Sequence, residues 1–123
     1  MLSTVGSGWP GGTFIAYQLT DGPASGLVVF VAEDVEPSVQ VGATVSSGTV
    51  LGHMYAGPDG IETGWADGSR LPDTMARSSG QFNGSNSSAF GYNFSRLLQS
   101  LGAPGGIANG PPNGTLPASW PQW

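Results

Sequence analysis

Residues 35–55 read Val35-Glu36-Pro37-Ser38-Val39-Gln40-Val41-Gly42-Ala43-Thr44-Val45-Ser46-Ser47-Gly48-Thr49-Val50-Leu51-Gly52-His53-Met54-Tyr55. Val39 and Val41 alternate with polar residues, which is the period of a strand with one buried face. They are expected to point inward. Gly42 and Gly48 bracket tight reversals, with Val45 packed between them. Thr49 to Tyr55 is expected to be the next strand. Gly57-Pro58-Asp59-Gly60 then makes a turn. Ile61 to Ala66 forms a further strand, with Glu62 and Gly64 on one face and Ile61, Thr63 and Trp65 on the other.

Upstream, Thr13-Phe14-Ile15-Ala16-Tyr17-Gln18-Leu19 is rich in β-branched and aromatic residues and reads as a strand. Asp21-Gly22-Pro23-Ala24-Ser25-Gly26 is a turn. Leu27-Val28-Val29-Phe30-Val31-Ala32 is a second strand, apolar almost throughout, as expected where both faces are buried in a sandwich. The two strands look like a hairpin. Residues 1–12 are turn-rich and end in Trp9-Pro10-Gly11-Gly12. Residues 13–66 therefore read as all-β, with the turn spacing of a sandwich or barrel.

Downstream, residues 67–87 are polar and rich in Ser, Gly and Asn, and are expected to be a loop. Phe90, Phe94, Leu97, Leu98 and Leu101 fall on one helical stripe, which predicts a closing helix at about 88–101. Ser87, Ser88 or Asn93 is positioned to cap it. Gly102 and Pro104 stop it. Residues 105–123 form a Pro/Gly-rich extended tail, ordered where Leu116, Trp120 and Trp123 dock.

Composition excludes several chemistries. The chain has 123 residues, the length of one domain, and Gly and Pro (21 and 10) make up a quarter of it. It has no Cys, and therefore no disulfide framework, thiolate metal site or Cys nucleophile. Its three cations are all arginines, Arg70, Arg77 and Arg96, and no Lys is present for lipoyl, biotinyl, Schiff-base or P-loop chemistry. A net charge of −5 argues against nucleic acid and against an anionic membrane surface. No apolar run approaches the roughly 18 residues of a membrane span. The start, Met1-Leu2-Ser3-Thr4, lacks the basic and apolar regions of a signal peptide.

The string Val-x-Val-Gly-x-x-Val-x-x-Gly-x-Val-Leu-Gly over residues 39–52 resembles the turn of barrel-sandwich hybrid domains. Two families carry that turn: the biotinyl/lipoyl carriers and the lysostaphin-type zinc peptidases that cut peptidoglycan. Without a lysine the carrier reading falls. Together with GWPGGTFIAYQL, VVFVAED, GIETGWADG and FGYNFSRLLQSLGAP, the chain resembles a degenerate lysostaphin-like domain over most of residues 8–104. The resemblance implies a mainly β, lysostaphin-like barrel-sandwich hybrid over residues 1–104, closed by the helix at about 88–101 and followed by the extended tail at 105–123. Active relatives hold a tetrahedral zinc through an early His-x-x-x-Asp, a late His-x-His and a further His on a middle strand. Here the late strand reads Gly60-Ile61-Glu62 and the middle strand Phe30-Val31-Ala32-Glu33. His53 is the sole histidine. The resemblance therefore implies no metal, no cofactor and a pseudoenzyme. The early ligand segment has no counterpart, so the domain is expected to lack its N-terminal part or to be completed by a second chain.

By the same resemblance Glu33 and Glu62 fall near the positions of histidines in active relatives. Two carboxylates across one groove suit acid/base glycoside cleavage or a bound cation; the plain alternative is two solvated strand-end residues. Trp65 and Tyr55 are weighed as platforms for sugar rings against ordinary packing, and packing is favoured for Trp9 and Tyr17. His53 reads as a surface or hydrogen-bonded strand residue, and Asp67 as a turn residue. The expected ligand-binding set is Glu33, His53, Tyr55, Glu62, Trp65 and Asp67, with Glu33 and Glu62 the catalytic candidates. The expected function is a non-catalytic binding or structural module, cell-wall- or virion-associated and extracellular, that takes peptidoglycan or another polysaccharide. The alternatives are a glycan-cleaving hydrolase using Glu33 and Glu62, and an assembly protein that oligomerises, or recruits a partner chain, through open sheet edges.

Overall fold

Phe14-Ile15-Ala16 and Val29-Phe30 are buried on both sides of their strands, and these strands occupy the middle of a four-stranded antiparallel sheet. The computed structural model describes residues 3–9, 12–83 and 86–123. In chain order the elements are β1 (Ser3–Trp9), β2 (Gly12–Gln18), β3 (Val28–Glu33), β4 (Val35–Pro37), β5 (Gly52–Met54), β6 (Ile61–Ala66), α1 (Met75–Ser78) and α2 (Ala89–Ser100). The large sheet runs β1-β2-β3-β6, and β4 and β5 form a second antiparallel pair. The protein is thus mainly β, with two antiparallel sheets and a C-terminal helix. No helix among the described residues is long and apolar enough to cross a membrane.

The β2–β3 hairpin forms as its apolar runs predict, in the register Thr13↔Glu33 to Gln18↔Val28. β6 pairs with β3 from Val28↔Ala66 to Glu33↔Ile61. Two clusters mark the two faces of the sheet. One is built on Trp9, Phe14, Ala16, Phe30, Ala32 and Ala66. Its three rings contact one another pairwise, with Phe14 stacked on Trp9 at 5.2 Å and on Phe30 at 5.5 Å, and Trp9 tilted against Phe30 at 5.5 Å. Such pairs add about 0.5–1.5 kcal/mol each beyond the area they bury. The other cluster packs Val29 and Trp65 against Phe90 and Phe94 of α2, with Leu116, Trp120 and Trp123 of the tail over them.

Three elements differ from the sequence expectation. β1 lies within the stretch read as turns. Ser, Gly and Thr give it little strand propensity, and it forms by pairing with β2 from Ser3↔Tyr17 to Trp9↔Gly12, with an irregularity between Gly6 and Trp9. Pro10 and Gly11, in the turn expected there, lie outside the described residues, as do Met1, Leu2, Gly84 and Ser85. The Val/Gly motif is mostly loop: β5 covers only Gly52–Met54 of the strand expected at 49–55. Val41 is 60% exposed rather than turned inward. Gly42 and Gly48 take left-handed dihedrals (φ 84° and 87°) and fold the segment back, closed by Ala43 N–H to Gln40 O and Thr49 N–H to Ser46 O. Finally, the loop at 67–87 contains α1, a single turn capped by Thr74, whose Oγ1 accepts from Arg77 N–H. Four residues are too few for a periodic signal.

α2 falls where the stripe predicts. Ser88 is its cap, with Oγ accepting from Gly91 N–H at 2.9 Å. Leu101, the last residue of the predicted stripe, is 73% exposed at the C-cap. The tail is tied down at several points: Gln81 Nε2 donates to Thr115 O, Ala89 N–H to Asn113 O, and Asn93 Nδ2 to Pro121 O.

Candidate functional site

Ala32 pairs with Glu62 and Glu33 with Ile61 across the β3–β6 ladder, which places both glutamates at one end of neighbouring strands. The alternation of β6 sends Glu62 to the same side as Gly64 and Ala66, the side of Phe30 and the aromatic stack. Glu33 reaches that stack too, because the Trp9 indole N–H donates to its Oε1 at 2.9 Å. From the segment beyond β6, Arg77 lays its guanidinium over the Trp9 ring at 5.7 Å from the centroid and over Phe82 at 4.7 Å. Phe82 is 59% exposed. Two carboxyls, one guanidinium and the exposed Phe82 ring on which that guanidinium lies thus share a neighbourhood.

The electrostatics follow from that placement. Partial burial pushes the Glu62 carboxyl above its ordinary range, the nearby Glu33 pushes it further in the same direction, and Arg77 opposes both. The residue as a whole is exposed, so the desolvation is partial. Glu62 therefore keeps its proton to higher pH than a free glutamate. Phe30, Glu62, Gly64, Arg77 and Phe82 line a cleft of about 90 Å³. Gly64 matters for its shape: a Cβ there would sit 3.1 Å from the Phe30 ring.

The remaining residues of the expected set are dispersed. Trp65 is 3% exposed on the opposite face of β6, edge-on to Phe94 and Trp120, with its indole N–H bonded to Asn93 Oδ1. Its ring faces are occupied by protein, so it is a core residue and not a sugar platform. This corrects the groove expected from sequence. His53 is exposed on β5, opposite Glu36 in the small sheet. Tyr55 is 48% exposed and tied through its backbone N–H to Asp34 O at 3.1 Å. Asp67 closes the turn after β6: its Oδ1 accepts from Ser69 N–H and from Ser69 Oγ–H. Burial alone would raise the Asp67 carboxyl, but bonds from Ser69 and Ser78 and the charge of Arg70 outweigh it and hold it below its usual range. Among the described residues, no three side chains of His, Cys, Asp or Glu are grouped to hold a metal.

Sequence reasoning missed three participants. Arg77 and Phe82 sit in a segment read as loop; the only signal was that Arg77 is one of three cations. Asp34 is 1% exposed, and its Oδ2 accepts from the backbone N–H groups of Asp59 (2.9 Å) and Gly60 (2.6 Å). It fastens the turn that leads into Glu62. The polar pairing of Asp34 with Gly57-Pro58-Asp59-Gly60, some 25 residues on, has no local pattern. Comparison with known proteins brings no match: no family model, no curated protein and no solved structure aligns significantly with this chain.

Proposed function

We propose that this chain is a non-catalytic binding module of lysostaphin-like, barrel-sandwich hybrid descent that engages peptidoglycan or a related polysaccharide, outside the cell or on its wall. The observation that carries the reading is the small cleft lined by Glu62, Arg77 and Phe82, with Glu33 close enough to act on the Glu62 carboxyl. Sites that enclose a small molecule measure roughly 300–1,000 Å³. A cleft of about 90 Å³ seats one substituent of a polymer and leaves the rest of it on the surface. Carboxyls, a guanidinium and an exposed aromatic ring are groups that bind hydroxyls, amides and sugar faces. The descent is supported by the adjacency of β3 and β6. These are the strands on which the lysostaphin-type pattern places histidines of one zinc site, and here they lie side by side.

Retention of the purified chain on insoluble peptidoglycan tests the proposal. The wild type is expected to be retained, and Glu62→Ala and Arg77→Ala to be released at lower salt. No retention of the wild type, or equal retention of both variants, overturns it.

A second reading has one specific observation in its favour. A glutamate whose carboxyl is pushed above its ordinary range by burial and by a neighbouring glutamate is the kind of pairing a glycoside hydrolase uses. Release of reducing ends from glycan strands, abolished in Glu62→Gln, would establish that reading in place of the first.

A further inference from the structure

We propose a second binding site, for a neutral pyranose unit, in the cleft between β2 and the Val/Gly loop at residues 45–51. The cleft holds about 540 Å³, within the range of sites that enclose a small ligand. It lies apart from the carboxylate cluster and shares no lining residue with it. Tyr17, Leu19, Val45 and Leu51 give it apolar walls; Asp21, Ser47 and Thr49 give it a polar rim.

The chemistry selects the ligand. A sugar ring presents C–H faces to an aromatic wall and hydroxyls to acceptors around it. No basic residue lines the cleft, and the Asp21 carboxylate at its rim repels anions. Burial pushes the Tyr17 hydroxyl pKa up, so Tyr17 adds no charge to the lining. The rim is also organised before any ligand arrives. Ser46 N–H donates to Thr49 Oγ1 at 3.0 Å, and Thr49 N–H returns a bond to Ser46 O at 3.0 Å. A loop already closed in this way loses little entropy on binding. The Val/Gly pattern of residues 39–52 thereby acquires a role: left-handed Gly48 turns the chain between Ser47 and Thr49, both of which line the cleft.

Titration of the isotopically labelled full chain with chitotriose, the N-acetylglucosamine trimer, followed by amide chemical shifts, tests the site. Shifts are expected at Asp21, Ser46, Ser47 and Thr49. Thr49→Arg, which fills the rim from an exposed position, should weaken binding at least about tenfold, and Tyr17→Phe by about threefold to tenfold. A trimer carrying uronic acid should bind no more than weakly. Glu62→Gln should leave the shifts at Ser47 and Thr49 unchanged. Circular dichroism checks that Thr49→Arg folds, and Ser47→Arg serves as the second variant. Absence of shifts at these four amides overturns the proposal. So does unaltered affinity in a folded Thr49→Arg or Ser47→Arg chain. Shifts confined to Glu33, Glu62 and Arg77 would overturn this site while leaving the module's proposed function standing.

Discussion

The indole N–H of Trp65 donates to Oδ1 of Asn93 at 2.8 Å, joining the last strand of the sheet to the helix that covers it. The same oxygen accepts from Trp120 Nε1 at 3.2 Å, and Asn93 Nδ2 donates to Pro121 O at 2.7 Å. One amide, 4% exposed, thus links sheet, helix and tail. Replacing it with Leu leaves the Trp65 indole without its acceptor and frees the tail's anchor. Each buried group so orphaned costs about 1–3 kcal/mol. Asn93→Leu is expected to lose roughly 2–4 kcal/mol in denaturant unfolding, with a blue-shifted or quenched tryptophan signal reporting the altered indole environment. A loss under about 0.5 kcal/mol would show that the hub is not energetically central.

Asp34 and Gly57 make a second dependence. A Cβ at residue 57 would lie 2.4 Å from Cγ and Oδ1 of Asp34, whose side chain is fixed by the two backbone donors of the 59–60 turn. Gly57→Ala must displace a buried carboxylate, and overpacking of this kind costs about 1–3 kcal/mol. Asp34→Ala is expected to be as damaging, because Asp59 and Gly60 lose their acceptor. If thermal melts of both variants match the wild type, the turn is held by something else.

The titration of Glu62 has a definite sign. Its folded pKa lies above the ordinary 4.5, so the folded state holds the proton more tightly than the unfolded chain. Ionisation therefore costs stability as pH rises from near 4.5 through the raised value, and costs nothing more beyond it. Glu62→Gln is expected to melt higher than wild type at pH 7 and equally at pH 3.5. Asp67 has the opposite sign: its lowered pKa contributes stability above its ordinary 3.8, and that contribution is lost as pH falls through the lowered value. Asp67→Asn is expected to reduce the melting temperature at pH 7, with the difference fading in acid. Differential scanning calorimetry across pH reads both.

Phe14 is wholly buried between Trp9 and Phe30. Phe14→Ala is expected to cost about 3–5 kcal/mol, the range for a core aromatic. It should also loosen Trp9 and so weaken its bond to Glu33. A tryptophan fluorescence change that depends on Glu33→Gln in the wild type but not in the Phe14→Ala background would register that coupling.

Local pattern made several elements legible. β2, β3 and β6 carry runs of β-branched and aromatic residues, and α2 carries an apolar stripe begun by a serine cap. Both signals depend only on neighbours within a turn or along a strand. β1 had no such signal, since its glycines and serines become a strand only when β2 offers a ladder. The Val/Gly motif misled in one respect. Its valines alternate as a strand would, but the reversals at Gly42 and Gly48 fold the segment back on itself, and it pairs with β4 only from Gly52 to Met54.

The candidate site divides in the same way. Glu33 and Glu62 stood out through the resemblance, as the residues near the positions of histidines in active relatives, and Trp65 as an aromatic weighed between sugar platform and packing. By itself the sequence determined the strand runs, the helix, the lack of lysine and the face alternation of β6. Only the tertiary structure decided which face of that strand is covered. α2 and the tail bury Trp65, while Trp9, Arg77 and Phe82 gather around Glu33 and Glu62. The physical reason is separation along the chain. Trp9 meets Glu33 across 24 residues and Trp65 meets Asn93 across 28. Contacts at such distances are set by how the layers stack, which no local periodicity encodes.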